Sequence, residues 1–108
     1  MSSLYTHRAI IVVKAADRDQ ANTDALAYDP EGGDETFRVG LSPTGNTPIT
    51  HYWASTACRE SVWQAFVAAE ATQAAKGAGR TRWLFDGLTT TPDEALAALG
   101  LQRLVVSE

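Results

Sequence analysis

The run Ala9-Ile10-Ile11-Val12-Val13 constrains this chain more than any other segment. Its β-branched residues favour extended backbone, and no polar residue breaks either alternating side. Such a strand needs cover on both faces and belongs in the middle of a sheet. Trp83-Leu84-Phe85 repeats the behaviour further along. At 108 residues a chain buries roughly two-thirds of its unfolded surface, enough for one core without disulfide staples. A single α+β domain over residues 1–108 is therefore expected.

The other elements follow from capping and periodicity. Asp17 with Gln20 three positions later marks a helix start, and Ala21, Ala25 and Tyr28 give it a modest apolar stripe that ends before Pro30. Pro30 to Asp34 reads as a turn. Residues 36–41 alternate, with Phe37, Val39 and Leu41 on one side, as a half-buried strand does. Loop 42–48 is rich in turn residues, and residues 49–55 return as an antiparallel strand. Ser55 or Thr56 is then expected to cap a long helix reaching about Lys76, with Val62, Trp63, Phe66, Val67 and Ala74 inward and Gly77 or Gly79 ending it. Residues 81–86 read as a strand. Thr91-Pro92-Asp93-Glu94 is a capping box with proline at the first helical position, Leu96 and Leu99 face inward, and Gly100 ends that helix. Residues 101–106 read as a last strand.

The order βαββαβ matches a ferredoxin-like sandwich with a mainly antiparallel sheet, and an additional C-terminal αβ unit is expected to add a parallel strand by a right-handed crossover. A sandwich with helices on one face leaves the other face wet, which conflicts with strands apolar on both sides. The third helix or a second subunit has to cover it, and a homo-oligomer packing sheet faces or edges is the expectation.

Charge argues against nucleic acid and anionic membranes as partners. Asp plus Glu number 13 against 9 Lys plus Arg. The densest run is acidic, with Asp17, Asp19, Asp24, Asp29, Glu31, Asp34 and Glu35 around Arg18 alone. Cys58 is the only cysteine, which suits a reducing compartment. The N-terminus lacks the order of a signal peptide, and the longest apolar run is too short to cross a bilayer. A cytoplasmic or virion-associated protein is expected.

Candidate chemistry is sparse. Cys58 beside Arg59, in the first turn of a helix begun at Ser55 or Thr56, would favour its thiolate, with His51 as a candidate base. The plainer account is a small residue tucked beneath the helix start. Thr50-His51-Tyr52-Trp53 is the most unusual local composition, and Tyr52, Trp53 and Trp83 are the candidate ligand or interface residues. Alternation there places Tyr52 inward and His51 and Trp53 on the opposite face. Loop 42–48 lacks the lysine of a phosphate loop, and the acids from Asp29 to Glu35 lack the spacing of a calcium loop. His7 and His51 have no zinc-ligand spacing with Cys58. Asp86 before Gly87 reads as a turn. No metal and no cofactor is expected.

The segments Arg8 to Val13, Thr36 to Pro43 and Thr50 to Trp53 together resemble small proteins encoded in phage and prophage gene sets of high-GC bacteria. That resemblance implies a virion-associated or assembly role and carries no catalytic residue. The expectation is a non-enzymatic, oligomerising protein-interaction module whose partners are phage or bacterial proteins. The rival is a small ferredoxin-like enzyme or ligand-binding domain with a cleft near His51, Tyr52 and Cys58.

Overall fold

The computed structural model describes residues 5–26 and 41–104, with the side chains of residues 24–26 excepted. The fold is α+β. An antiparallel four-stranded sheet has the order β2-β3-β1-β4, with β1 at His7–Lys14, β2 at Ser42–Pro43, β3 at His51–Cys58 and β4 at Arg82–Asp86. Helix α1 spans Arg18–Leu26, α2 spans Glu60–Ala75, and α3 spans Pro92–Ala98.

β1 lies between β3 and β4, the central place its composition requires. Ala9 to Val13 are all buried. Removing Ile10, Ile11, Val12 and Val13 from water contributes about 1.5–3 kcal/mol for each side chain. Ala9, Ile11 and Val13 share one core with Ala21 of α1, Val62 and Phe66 of α2, and Tyr52, Ala54 and Cys58 of β3. Ile10 and Val12 point the other way, as strand alternation demands. Helix α3 contacts β1, with Ala95 and Leu96 as buried as Ile10 and Val12. The third helix thus covers the centre of the second face, and the burial of β1 by itself requires no second subunit.

Local signals set two helix starts. The Gln20 amide donates to Asp17 Oδ1 at 2.8 Å. At α3 the box is complete: the Glu94 amide donates to Thr91 Oγ1 at 3.2 Å, and the Thr91 amide donates to Glu94 Oε1 at 3.2 Å. Gly77 and Gly100 take φ of 56° and 74°, the left-handed conformation that ends each helix cheaply.

The start of α2 departs from the expectation. Ser55 and Thr56 cap nothing, because β3 runs on through Cys58 and the cap position is Arg59 in extended conformation without a side-chain bond. Pairing with β1 accounts for this: Ser55 lies opposite Ile10, Thr56 opposite Ala9 and Cys58 opposite His7. Ladder bonds and burial there outweigh the capping tendency of two hydroxyl residues. The inward stripe of α2 also shifts. Val62, Phe66 and Gln73 are buried, whereas Val67 and Ala74 are exposed. The spacing 62, 66, 73 follows the helical period more closely than the apolar residues do.

The C-terminal unit differs too. No parallel strand beside β4 is found among the described residues. Arg103 instead forms an antiparallel bridge with Thr44, at the opposite edge of the sheet. The Gly45 amide donates to the Gln102 carbonyl at 2.8 Å, and Asn46 Oδ1 accepts from the Gln102 amide at 2.9 Å. The chain therefore crosses the second face through α3 and finishes along the β2 edge. Residues 42–43, expected in a loop, pair with Trp53 and Tyr52 of β3. The turn from Pro30 to Asp34 and the strand over 36–40 lie outside the described residues, and Leu41 is buried.

Candidate functional site

β3 sorts the sequence candidates by alternation. Tyr52, Ala54, Thr56 and Cys58 face the helix-covered core, while His51, Trp53, Ser55 and Ala57 lie half-buried on the second face. Cys58 and His51 therefore occupy opposite faces of one strand. At about 3.3 Å per residue, the offset from 51 to 58 separates their Cα atoms by roughly 23 Å. No base–nucleophile pair forms between them, since proton transfer needs heavy atoms about 3 Å apart. Cys58 is fully buried and sits at a strand end instead of in a first helical turn, so the helix-terminus argument for its thiolate falls with the helix boundary. Tyr52 belongs to the core with it, and a cleft shared by His51, Tyr52 and Cys58 does not form.

The second face gathers the remaining candidates. Lys14 pairs with His51 and Val12 with Trp53 on one flank of β1, while Trp83 and Phe85 lie opposite Val12 and Ile10 on the other flank. The rings of His51 and Trp83 approach to 5.8 Å between centroids in a tilted arrangement. A guanidinium covers each indole: Arg103 stands 5.5 Å from the Trp53 centroid and Arg80 stands 5.4 Å from that of Trp83. Cation–π contacts of this geometry are worth about 0.5–1 kcal/mol when exposed and more when desolvated. The result is a band of alternating rings and cations beside α3.

Polar groups in this band are only partly satisfied. Trp53 Nε1 and Thr44 Oγ1 are buried without a hydrogen-bond partner among the described residues. Thr44 continues β2, and its amide donates to the His51 carbonyl at 3.2 Å. Thr44 thus falls diagonally across the strand pair from Trp53, a separation of about 7–8 Å between such positions. His51 Nδ1 lies 3.0 Å from Thr50 Oγ1. Burial, followed by the charge of Lys14, holds the His51 imidazole below its ordinary value of 6.5. His51 is accordingly neutral at pH 7, with one ring nitrogen that donates and one that accepts. The band suits stacking and hydrogen bonding to another surface or to a flat polar group.

The other sequence candidates resolve locally. Asp86 Oδ1 accepts from the Leu88 amide at 2.9 Å, the turn its Asp-Gly sequence implies. His7 stacks on Trp63 with 5.7 Å between centroids. Arg80 and Arg103 escaped sequence reasoning, and Thr44 entered it only as one of the loop 42–48 residues weighed as an anion cradle. Alternation in β3 and β4 was the signal that could place Trp53 and Trp83 on one face. Nothing near residue 103 announces its partner at residue 44. No protein-family model, curated protein or solved structure matches this chain.

Proposed function

We propose that this chain is a non-enzymatic protein-interaction module that self-associates through the second face of its sheet. The observation that carries the reading is the half-buried pair Trp53 and Trp83, each stacked under an arginine. Tryptophan and arginine are among the residues that most often dominate binding energy at protein interfaces, tryptophan by burying a large ring with only two side-chain torsions and arginine by presenting five donors on a planar guanidinium. The architecture proposed is a ferredoxin-like sandwich with α1 and α2 on one face and α3 on the other. Support comes from the strand order and from Ala21, Val62 and Phe66 sharing one core. A role in phage or prophage assembly, in the cytoplasm or on a virion, rests on the resemblance of residues 8–13, 36–43 and 50–53.

One observation favours a second reading, a small-ligand site on the same band: the orphaned Trp53 Nε1 and Thr44 Oγ1 would both gain a partner from a planar polar ligand. Native mass spectrometry over a range of protein concentrations separates the two. Assemblies at whole multiples of the chain mass, lost in Trp83→Ser, support self-association through the band. A monomer at every concentration refutes it, and a stoichiometric adduct on that monomer selects the ligand reading.

A further inference from the structure

Among the described residues β4 is an edge strand, paired with β1 on one side only. The Lys14 amide donates to the Thr81 carbonyl at 2.8 Å and the Gly87 amide to the Arg8 carbonyl at 2.7 Å. Odd-numbered residues of the strand therefore turn their backbone groups toward β1. By the alternation of an antiparallel ladder, Arg82, Leu84 and Asp86 turn theirs outward. An outward row of this kind is a template for another strand.

The row is occupied from within the chain. The Glu70 carboxylate of α2 accepts from the Leu84 amide and forms an ion pair with Arg80. Arg80 in turn donates through Nε and Nη2 to the Arg82 carbonyl, at 3.2 and 3.0 Å, while its guanidinium lies over Trp83. A single partly buried ion pair thus blocks one outward donor and one outward acceptor.

The strand beneath that pair is complementary to itself. In Arg82-Trp83-Leu84-Phe85-Asp86, a two-fold antiparallel pairing centred on Leu84 sets Arg82 against Asp86 of the other copy at both ends. It also sets Trp83 beside Phe85 of the other copy, and Leu84 on its own image. Opposite charges and aromatic pairs directly across a ladder are stabilising. The bonds of this pairing run from the Leu84 amide to the other Leu84 carbonyl, and from the Asp86 amide to the other Arg82 carbonyl. Each uses either the Leu84 amide or the Arg82 carbonyl, the groups that Glu70 and Arg80 already hold. The Asp86 carbonyl is taken by the Thr90 amide at 2.9 Å.

We propose that β4 is a latent interface for a second copy of this chain, held shut by the Glu70–Arg80 pair. Opening the pair lets two sheets join through β4 into one continuous sheet. This contact runs along the sheet edge, whereas the band lies on the second face; the two share Trp83 and Arg80, and the charge reversals at Arg82 and Asp86, which belong to the edge contact alone, tell them apart.

The test compares sedimentation equilibrium of the full chain with that of Glu70→Ala/Arg80→Ala. The double variant should self-associate at least about tenfold more tightly than the parent, a difference of about 1.4 kcal/mol. Adding Arg82→Glu to it sets like charges against each other and should return association to the parental level, while Arg82→Glu/Asp86→Arg together should restore it. Unchanged association in a folded double variant would overturn the proposal, as would indifference to Arg82→Glu. Glu70→Gln keeps the side-chain volume and covers the case in which the double variant does not fold. In that variant the Leu84 amide should exchange with deuterium about tenfold faster in dilute protein and slow again as concentration rises. Exchange that is fast at all concentrations shows that the freed edge has no partner, and refutes the interface.

Discussion

Leu96→Ala tests whether α3 is the cover of the second face. Leu96 is 0% exposed, as are Ile10 and Val12 beneath the helix. Truncating a fully buried leucine removes its transfer free energy and leaves a cavity, together about 2–5 kcal/mol. The helix is short, from Pro92 to Ala98, and one turn carries its buried contact, so partial collapse should hold the cost near the lower half of that range. A domain of this size has a total stability of about 5–15 kcal/mol, and each kcal/mol moves its midpoint by roughly 4 °C or more. A fall in Tm of about 8–15 °C is expected on thermal unfolding followed by circular dichroism. Leu104→Ala is the control, at a side chain 48% exposed, where a change within about 0.5 kcal/mol is expected. A double-mutant cycle with Ile10→Val should show coupling above about 0.5 kcal/mol if the two side chains share one packed layer. If Leu96→Ala behaves like Leu104→Ala, α3 is not docked and the second face needs another cover.

Three further outcomes follow from the same structure. Cys58 is fully buried, so iodoacetamide should label it only after unfolding in denaturant; fast labelling of the native protein would contradict its place in the core. A Cβ on Gly45 would lie 2.8 Å from the Arg103 carbonyl oxygen, so Gly45→Ala should free the segment around 100–103, read as faster amide exchange at Gln102. His51 has a folded-state pKa below 6.5 through burial and then Lys14, so the folded protein binds fewer protons than the unfolded chain just below that value. Stability should therefore fall as pH drops from 6.5 toward the depressed value and stay flat above 6.5 as far as this group is concerned. His51→Gln should remove that slope from denaturant titrations.

The candidate site was legible in its parts and not in its assembly. The ring-rich segment 51–53 and the doubly apolar segment 83–85 stand out in the sequence, and alternation along a strand assigns their faces. That Trp53 and Trp83 flank the same Val12 is a matter of register, which depends on how two remote segments align on β1. The catalytic candidacy of Cys58 arose from a helix boundary placed too early. Ser55 and Thr56 are good caps in isolation, but opposite Ile10 and Ala9 they are worth more as ladder residues.

What the sequence determined by itself is what short-range physics decides. The five-residue run Ala9 to Val13, with no polar side, had to become a covered central strand, whereas the shorter doubly apolar run Trp83-Leu84-Phe85 ends half-buried in the outer strand β4. A threonine three residues before a glutamate, with proline between them, had to start a helix, because donor and acceptor meet within one turn. Tertiary structure alone decided which groups meet across long stretches of chain. Arg103 reaches Thr44 at the far edge of the sheet, and Glu70 reaches the open edge of β4. Both depend on where whole elements dock, and docking is fixed by the summed burial of many side chains rather than by any residue near the contact.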